Sequence, residues 1–205
     1  MRIAIIGTGN VGKALGPAFQ RAGHAVAYGV RDPADPKHSG GELRLVRDAA
    51  EWAQAIVLAV NWAQVDEALA DCGEMAGKIL IDCTNPLSFG PEGIALVLGF
   101  DTSGGEIVAS KTKANTVKTL NHVGSPVMAR AHDYATRPIQ FVSGDDAQAK
   151  EVVSGLLRDI GFEPIDYGGI ENSRKLEPLA ILWIDQAHKH GMSLTNALTF
   201  IGPEN

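Results

Sequence analysis

The sequence predicts an α/β fold on a doubly wound, mostly parallel sheet, with a C-terminal strand and long helix as an extension. Three observations carry this prediction. An apolar strand, Arg2-Ile3-Ala4-Ile5-Ile6, runs into Gly7-Thr8-Gly9-Asn10-Val11-Gly12, a G-x-G-x-x-G whose third glycine opens a helix. Two later runs, Ala55 to Val60 and Ile79 to Cys83, are of strand length and apolar without alternation, as strands covered on both faces are. Helical patterns separate the strands throughout. The whole of 1–205 reads as one domain, in which 126–205 form the C-terminal extension.

Taken in order, the first strand and glycine turn are followed by a helix whose apolar set is Val11, Leu15, Ala18, Phe19 and Ala22. Pro17 falls inside it and is expected to kink it or end it early. Ala25 to Asp32 is the second strand with its end. Two prolines and a Gly-Gly pair make 33–41 a loop. Asp48 to Ala53 reads as a short helix, Ala55 to Val60 as a buried strand, and Val65 to Cys72 as a helix that Gly73 suits to end. Ile79 to Cys83 is the next buried strand, ending in Thr84-Asn85-Pro86-Leu87. Gly90 to Gly99 is a loop, and Glu106 to Ala109 looks helical. Thr116 to Leu120 is a strand that runs into Asn121-His122-Val123-Gly124. A further strand begins near Ile139, and a helix starts at Asp145 with Gly161 as its C′ residue. Phe162 to Tyr167 is a last strand, placed at an edge by Pro164. The final helix spans 172–191. Its apolar positions 176, 179, 180, 183, 184 and 187 follow i, i+3, i+4 spacing. That stripe packs on the chain's own core or, as the sharper alternative, makes a homodimer contact.

Composition narrows the function classes. Hydrophobic residues make up 45 % of the 205, a normal globular share, and the net charge of −6 offers no basic surface to nucleic acid. No apolar run reaches the 18 residues of a membrane span. The opening reads as strand rather than signal peptide, because Gly7 and Gly9 cut the apolar run short. Cys72 and Cys83 form no C-x-x-C and read as buried, reduced thiols, consistent with a cytoplasmic protein. His188 and His190 point to different sides of a helix, and no other spacing suits a metal.

The glycine pattern stands where a dinucleotide-binding fingerprint must stand, after a strand and before a helix. Gly7 permits the tight turn, Gly9 lets the backbone approach a pyrophosphate, and Gly12 lets helix and strand pack closely. The helix N-terminus adds free N–H groups and partial positive charge. The end of the second strand selects the nucleotide. Val30 cannot accept a hydrogen bond from a ribose 2′-OH, whereas Arg31 can fork onto a 2′-phosphate, so the sequence favours NADP(H). A slip of two residues would instead make Asp32 the ribose acid of an NAD site. Lys37 and His38 are further candidates for positive charge there. Ligands of such sheets sit outside the carboxyl ends of the strands. Val60, Asn61 and Trp62 therefore belong to the crevice, and Thr84 and Asn85 stand where ribose hydroxyls or a nicotinamide amide need partners.

The glycine turn, the Val30-Arg31 strand end, Thr84-Asn85-Pro86-Leu87, Val117-Lys118-Thr119-Leu120-Asn121 and the late Asn172-Ser173-Arg174 together resemble the coenzyme F420-dependent NADP oxidoreductases. They also resemble the cytosolic NADPH domain of the six-transmembrane ferric reductases. The resemblance covers nearly the whole chain in order. It implies a small Rossmann reductase that binds NADP(H) and passes hydride to a small-molecule redox acceptor with a flavin-like ring, F420, FMN or FAD. On that basis Thr8, Gly9, Asn10 and Val11 would hold the pyrophosphate, and Arg31 the 2′-phosphate. Val60, Asn61, Thr84 and Asn85 would line the ribose and nicotinamide side. Trp62, Asn121, His122 and Val123 would sit toward the second ring, which the C-terminal extension covers. Two positions depart from the pattern: archaeal members often carry Ser or Thr in place of Val30, and proline is common in place of Asn61.

Hydride transfer between two flat rings needs alignment and exclusion of water more than an acid–base pair. That suits a chain in which no catalytic lysine or His–Asp pair stands out. Two rival readings remain: a non-enzymatic NADP-binding, redox-sensing module, and a truncated relative of the hydroxyacid dehydrogenases, which need a helical second domain carrying a catalytic lysine.

Overall fold

Strands that are apolar on both faces are stable only with both faces covered. The computed structural model, which describes residues 1–38, 41–90 and 93–202, places them in the middle of a sheet. In chain order the elements are β1 (Arg2–Ile6), α1 (Asn10–Arg21), β2 (Ala25–Val30), β3 (Glu42–Leu45), α2 (Val46–Trp52), β4 (Ala55–Leu58), α3 (Val65–Cys72), β5 (Ile79–Asp82), β6 (Leu87–Gly90), β7 (Gly93–Leu96), α4 (Gly104–Ser110), β8 (Asn115–Lys118), α5 (Ser125–Arg130), β9 (Ile139–Val142), α6 (Ala147–Asp159), β10 (Glu163–Asp166) and α7 (Ser173–Lys189). Six strands form one sheet in the order β3-β2-β1-β4-β5-β8, and every pairing in it is parallel. The chain winds one way from β1 to β3 and the other way from β4 to β8. A crevice therefore opens at the carboxyl ends of β1 and β4, where the winding reverses.

Alternation along each strand divides the core between two faces. Ile3, Ile5, Val57 and Ile81 meet Leu15 and Phe19 of α1, Val127 and Met128 of α5, and Val153 and Leu156 of α6. Ala4, Ile6, Ile56, Leu58 and Leu80 meet Val46 and Ala49 of α2, Leu69 of α3 and Val108 of α4. The extension is tied to this sheet by a short antiparallel bridge. Lys118 and Ser143 exchange backbone hydrogen bonds of 2.8 and 3.0 Å, and β9 then pairs in parallel with β10. Pro164 lies in β10, an edge strand as expected. No described helix is long and apolar enough to cross a membrane.

Several expectations are corrected. α1 runs through Pro17 to Arg21 without an early end. Leu15, Ala18 and Phe19 on its inner face are all but fully buried. Burial stabilises by about 1.5–3 kcal/mol for each large side chain, which offsets the roughly 3 kcal/mol cost of an interior proline. Pro178 is carried inside α7 in the same way. The Gly90 to Gly99 stretch is not all loop: Gly93–Leu96 returns antiparallel on Leu87–Gly90, while Pro91 and Glu92 lie outside the described residues. Of the 33–41 loop, Ser39 and Gly40 lie outside them too. β3 and α5 carry too little apolar pattern to be read in advance. β8 stops at Lys118 rather than Leu120, because Leu120 adopts φ +61, the one non-glycine positive φ among the described residues. That conformation costs about 1–3 kcal/mol and turns the chain sharply just before Asn121.

Candidate functional site

The glycine turn is built from backbone that only glycine can supply. Gly7 sits at φ +115, and a Cβ there would lie 2.3 Å from the carbonyl oxygen of Ala59. A Cβ on Gly12 would lie 2.1 Å from the carbonyl oxygen of Gly7. Gly9 is different: it is the N-cap of α1 at φ −75, and a Cβ added to it would meet no atom within 4 Å. Gly9 lines the crevice, so its absent side chain leaves space at the helix terminus. The first intrahelical bond runs from Lys13 N–H to Gly9 O, no side chain caps the helix, and its first turn has no acidic residue. The N–H groups of Asn10, Val11 and Gly12 thus have no helical acceptor and suit an anion. These features fit a pyrophosphate.

The crevice is a cleft of about 310 Å³. It brings together Gly7, Thr8 and Gly9 from the turn, Arg31 and Asp32 from the end of β2, and Val60 and Asn61 from the end of β4. Val30, Lys37 and His38 line it as well. Asn10 opens α1 but is not among the residues that line the cleft, and the Val11 side chain packs against the core. The Thr8 hydroxyl lies 3.0 Å from His38 Nδ1, which folds the 33–38 loop back onto the glycine turn. Arg31 reaches only one side-chain partner among the described residues, Glu67 of α3, at 3.4 Å. Lys37 pairs with Asp35, and holds the Asp35 carboxyl below the usual carboxylate range by that hydrogen bond and by its own backbone N–H.

The other predicted residues do not line this cleft: Trp62 follows β4, Thr84 and Asn85 follow β5, and Asn121, His122 and Val123 follow β8. Asn85 Nδ2 donates to the Asn121 carbonyl at 2.7 Å, and Asn121 Nδ2 donates to Asn85 Oδ1 and to the Leu176 carbonyl, both at 3.0 Å. The two amides hold each other and α7, so they are fixed in place rather than free arms. The Thr84 hydroxyl is turned inward, donating to Asp82 Oδ1 at 2.7 Å. Val123 is buried in the core, and the Trp62 ring packs toward Gly104 and Pro86.

His122 is 1 % exposed, its ring 5.5 Å from that of Phe141. Both Asn121 Nδ2 bonds are accounted for, so Asn121 Oδ1 is an acceptor and the nearby His122 Nδ1, at 3.2 Å, is its donor. Nε2 then carries the lone pair and finds no partner among the described residues. Burial pulls the His122 pKa down to about 4 from 6.5, so the ring is neutral at ordinary pH. The unfolded chain takes up this proton near pH 6.5 and the native protein only near pH 4. Stability is therefore expected to fall as the pH drops through that window, by about 3 kcal/mol in total. Urea unfolding at pH 7 and pH 4.5 should show a smaller loss for His122→Gln than for wild type; equal losses would rule His122 out as the source.

A buried charge network beneath the site is not foreseen from the sequence. Lys118, at the end of β8, is wholly buried. Its Nζ lies 2.9 Å from Asp82 Oδ2, 2.6 Å from the Thr84 carbonyl and 3.1 Å from Glu177 Oε1. Glu177 of α7 also accepts the N–H groups of Gly104 and Gly105, each at 3.0 Å. Burial alone would push the Lys118 ammonium down, but Asp82 and Glu177 on either side hold it above its usual value. The available signal was a charge closing each of two adjacent apolar strands, Ile79-Leu80-Ile81-Asp82 and Thr116-Val117-Lys118.

Comparison with known proteins agrees with this geometry. The family model for NADP oxidoreductase, coenzyme F420-dependent, matches residues 2–86. A crystal structure from Arthrobacter sp. FB24, assigned as an F420-dependent NADP-reductase, is 32 % identical, with a TM-score of 0.87, covering 98 % of this chain and 100 % of that one. The F420-dependent NADP reductase of Methanothermobacter marburgensis is 26 % identical over 229 residues, 96 % of this chain and 99 % of that protein. Metalloreductase STEAP3 of Rattus norvegicus is 27 % identical over 190 residues, 88 % of this chain but 37 % of that protein, so the chain spans little more than a third of it. With the fingerprint, the sheet order and a full-length structural match in agreement, the chain belongs to the coenzyme F420-dependent NADP oxidoreductase family.

Proposed function

We propose that this NADP-dependent oxidoreductase transfers hydride between NADP(H) and a flat, flavin-like acceptor, with F420, FMN and FAD as the candidate rings. The observation that carries the reading is the cleft itself, in which an unfilled glycine turn and bare helix terminus stand beside Arg31. Bound NADP(H) supplies the hydride chemistry at its nicotinamide ring. The chain's own residues bind and align. The N–H groups of Asn10, Val11 and Gly12 take the pyrophosphate, and Arg31 takes the 2′-phosphate as a forked, charge-assisted pair. Asn61 lies at the ribose and nicotinamide side, while Asn85 and Asn121, fixed by their mutual hydrogen bonds, would lie toward the second ring. Neutral His122 adds no positive charge of its own beside Asn121. Both cysteines are buried thiols, Cys72 pushed up to about 12 by burial, which suits a reducing, cytoplasmic setting.

Arg31→Ala is expected to weaken NADPH binding at least tenfold, about 1.4 kcal/mol, and to leave NADH binding within twofold. Fluorescence titration of both nucleotides measures this. If NADH binds as tightly as NADPH to the wild type, Asp32 is the ribose ligand instead. Oxidation of NADPH followed with F420, FMN and FAD in turn tests the acceptor. Turnover with one of them supports the proposal, and tight binding without turnover favours a redox-sensing module.

A further inference from the structure

We propose that Glu67 is a second selectivity residue of the cofactor cleft. It competes with the cofactor's 2′-phosphate for Arg31, and so sets how strongly NADP(H) is preferred over NAD(H). The proposal rests on the reading of Arg31 given above.

Glu67 stands in the first turn of α3 and lines the same cleft as Arg31. Its neighbour Asp66 is turned away and pairs with Lys111, so Glu67 is the carboxylate that this turn presents to the nucleotide side. Arg31 Nη1 lies 3.4 Å from Glu67 Oε1, with side-chain exposures of 67 % and 56 %. A pair so exposed contributes little to folding and opens readily. The surroundings sharpen the competition. Asp71, one helical turn beyond Glu67, lines the cleft too, and Lys37 is already held by Asp35. A 2′-phosphate arriving here meets an arginine whose charge is shared with a carboxylate. To form its forked pair it must displace Glu67 from Arg31. A cofactor with a free 2′-OH carries no such charge and meets no such penalty. Selectivity is therefore set by how much of the Arg31 charge Glu67 leaves to the 2′-phosphate.

The test is a double-mutant cycle on nucleotide affinity. Dissociation constants for NADPH and NADH would be measured by fluorescence titration for wild type, Arg31→Ala, Glu67→Gln and the double variant. Glu67→Gln keeps the shape of the side chain at an exposed position, and thermal unfolding confirms that the fold is unchanged. NADPH binding is expected to tighten three- to tenfold in Glu67→Gln, while NADH changes by less than 1.5-fold. In the Arg31→Ala background the same change should leave NADPH affinity within 1.5-fold. An unchanged or weaker NADPH affinity in Glu67→Gln overturns the proposal while leaving Arg31 in its role. A gain that persists in full without Arg31 also overturns it, since Glu67 then acts by its field alone. If Arg31→Ala itself leaves the NADPH to NADH ratio unchanged, the Arg31 reading fails and this proposal with it.

Discussion

Lys118→Met is expected to lower the free energy of unfolding by about 3–5 kcal/mol, the typical result of removing one member of a buried ion pair. The geometry sets the size. Asp82 and Lys118 are fully buried and Glu177 is 3 % exposed, so no water takes over when the ammonium goes. Two carboxylates would be left facing each other in the core, and the Thr84 carbonyl would lose its donor. Methionine fills the volume of the lysine stem, which isolates the electrostatic loss from a cavity effect. Glu177→Gln should cost less, about 1–3 kcal/mol, because an amide oxygen still accepts from Gly104 or Gly105. In a chain of this length the two variants translate to melting points lower by about 6–20 °C and 2–12 °C. Urea unfolding gives both values, and a Lys118→Met protein within 1 kcal/mol of wild type would show that the network contributes only its shape. The same network explains why α7 docks where it does. Glu177 binds the start of α4, and the adjacent Leu176 carbonyl binds Asn121, so the last long helix is fastened both to α4 and to the Asn85–Asn121 pair.

The halves of this protein were unequally legible. From Arg2 to Cys83 the order of strands and helices follows from the glycine pattern and from apolar runs that need cover on both faces. Only β3 escapes there, because Glu42-Leu43-Arg44-Leu45 is an edge strand that buries little. The later half is harder, because its decisive contacts are polar and long-range. Nothing local links Glu177 to Gly104 or Asn85 to Asn121, and the turn that aims Asn121 depends on a leucine at positive φ. The site shows the same divide. Gly7 and Gly12, whose close contacts leave no room for a Cβ, were readable one by one. Thr84 was not: its type and position suit a ribose ligand, yet its hydroxyl serves Asp82. Glu67 was missed because its meaning lies in a neighbour 36 residues away.

Gly9→Ala is expected to abolish most nucleotide binding and leave the fold intact, whereas Gly7→Ala should damage the fold itself. The two glycines are separated only by Thr8 in one turn, so the contrast tests the site rather than the composition of the loop. At Gly7 the backbone has φ +115 and a Cβ would overlap the Ala59 carbonyl at the end of β4. The strained dihedral alone costs about 1–3 kcal/mol, and the overlap adds to it by forcing β1 and β4 apart at their carboxyl ends. At Gly9 the backbone is extended with φ −75, and a methyl group meets nothing in the protein. Stability should therefore stay level or rise by about 0.4–1 kcal/mol, since alanine has less freedom to lose on folding. The methyl group instead occupies the space at the α1 terminus that a pyrophosphate needs for its bonds to the free N–H groups. A hundredfold loss of NADPH affinity, about 2.7 kcal/mol, is the expected result. Thermal unfolding and fluorescence titration on the two variants separate the effects. A Gly9→Ala protein that binds NADPH like wild type would place the pyrophosphate elsewhere, and the assignment of the cleft's phosphate end would have to be withdrawn.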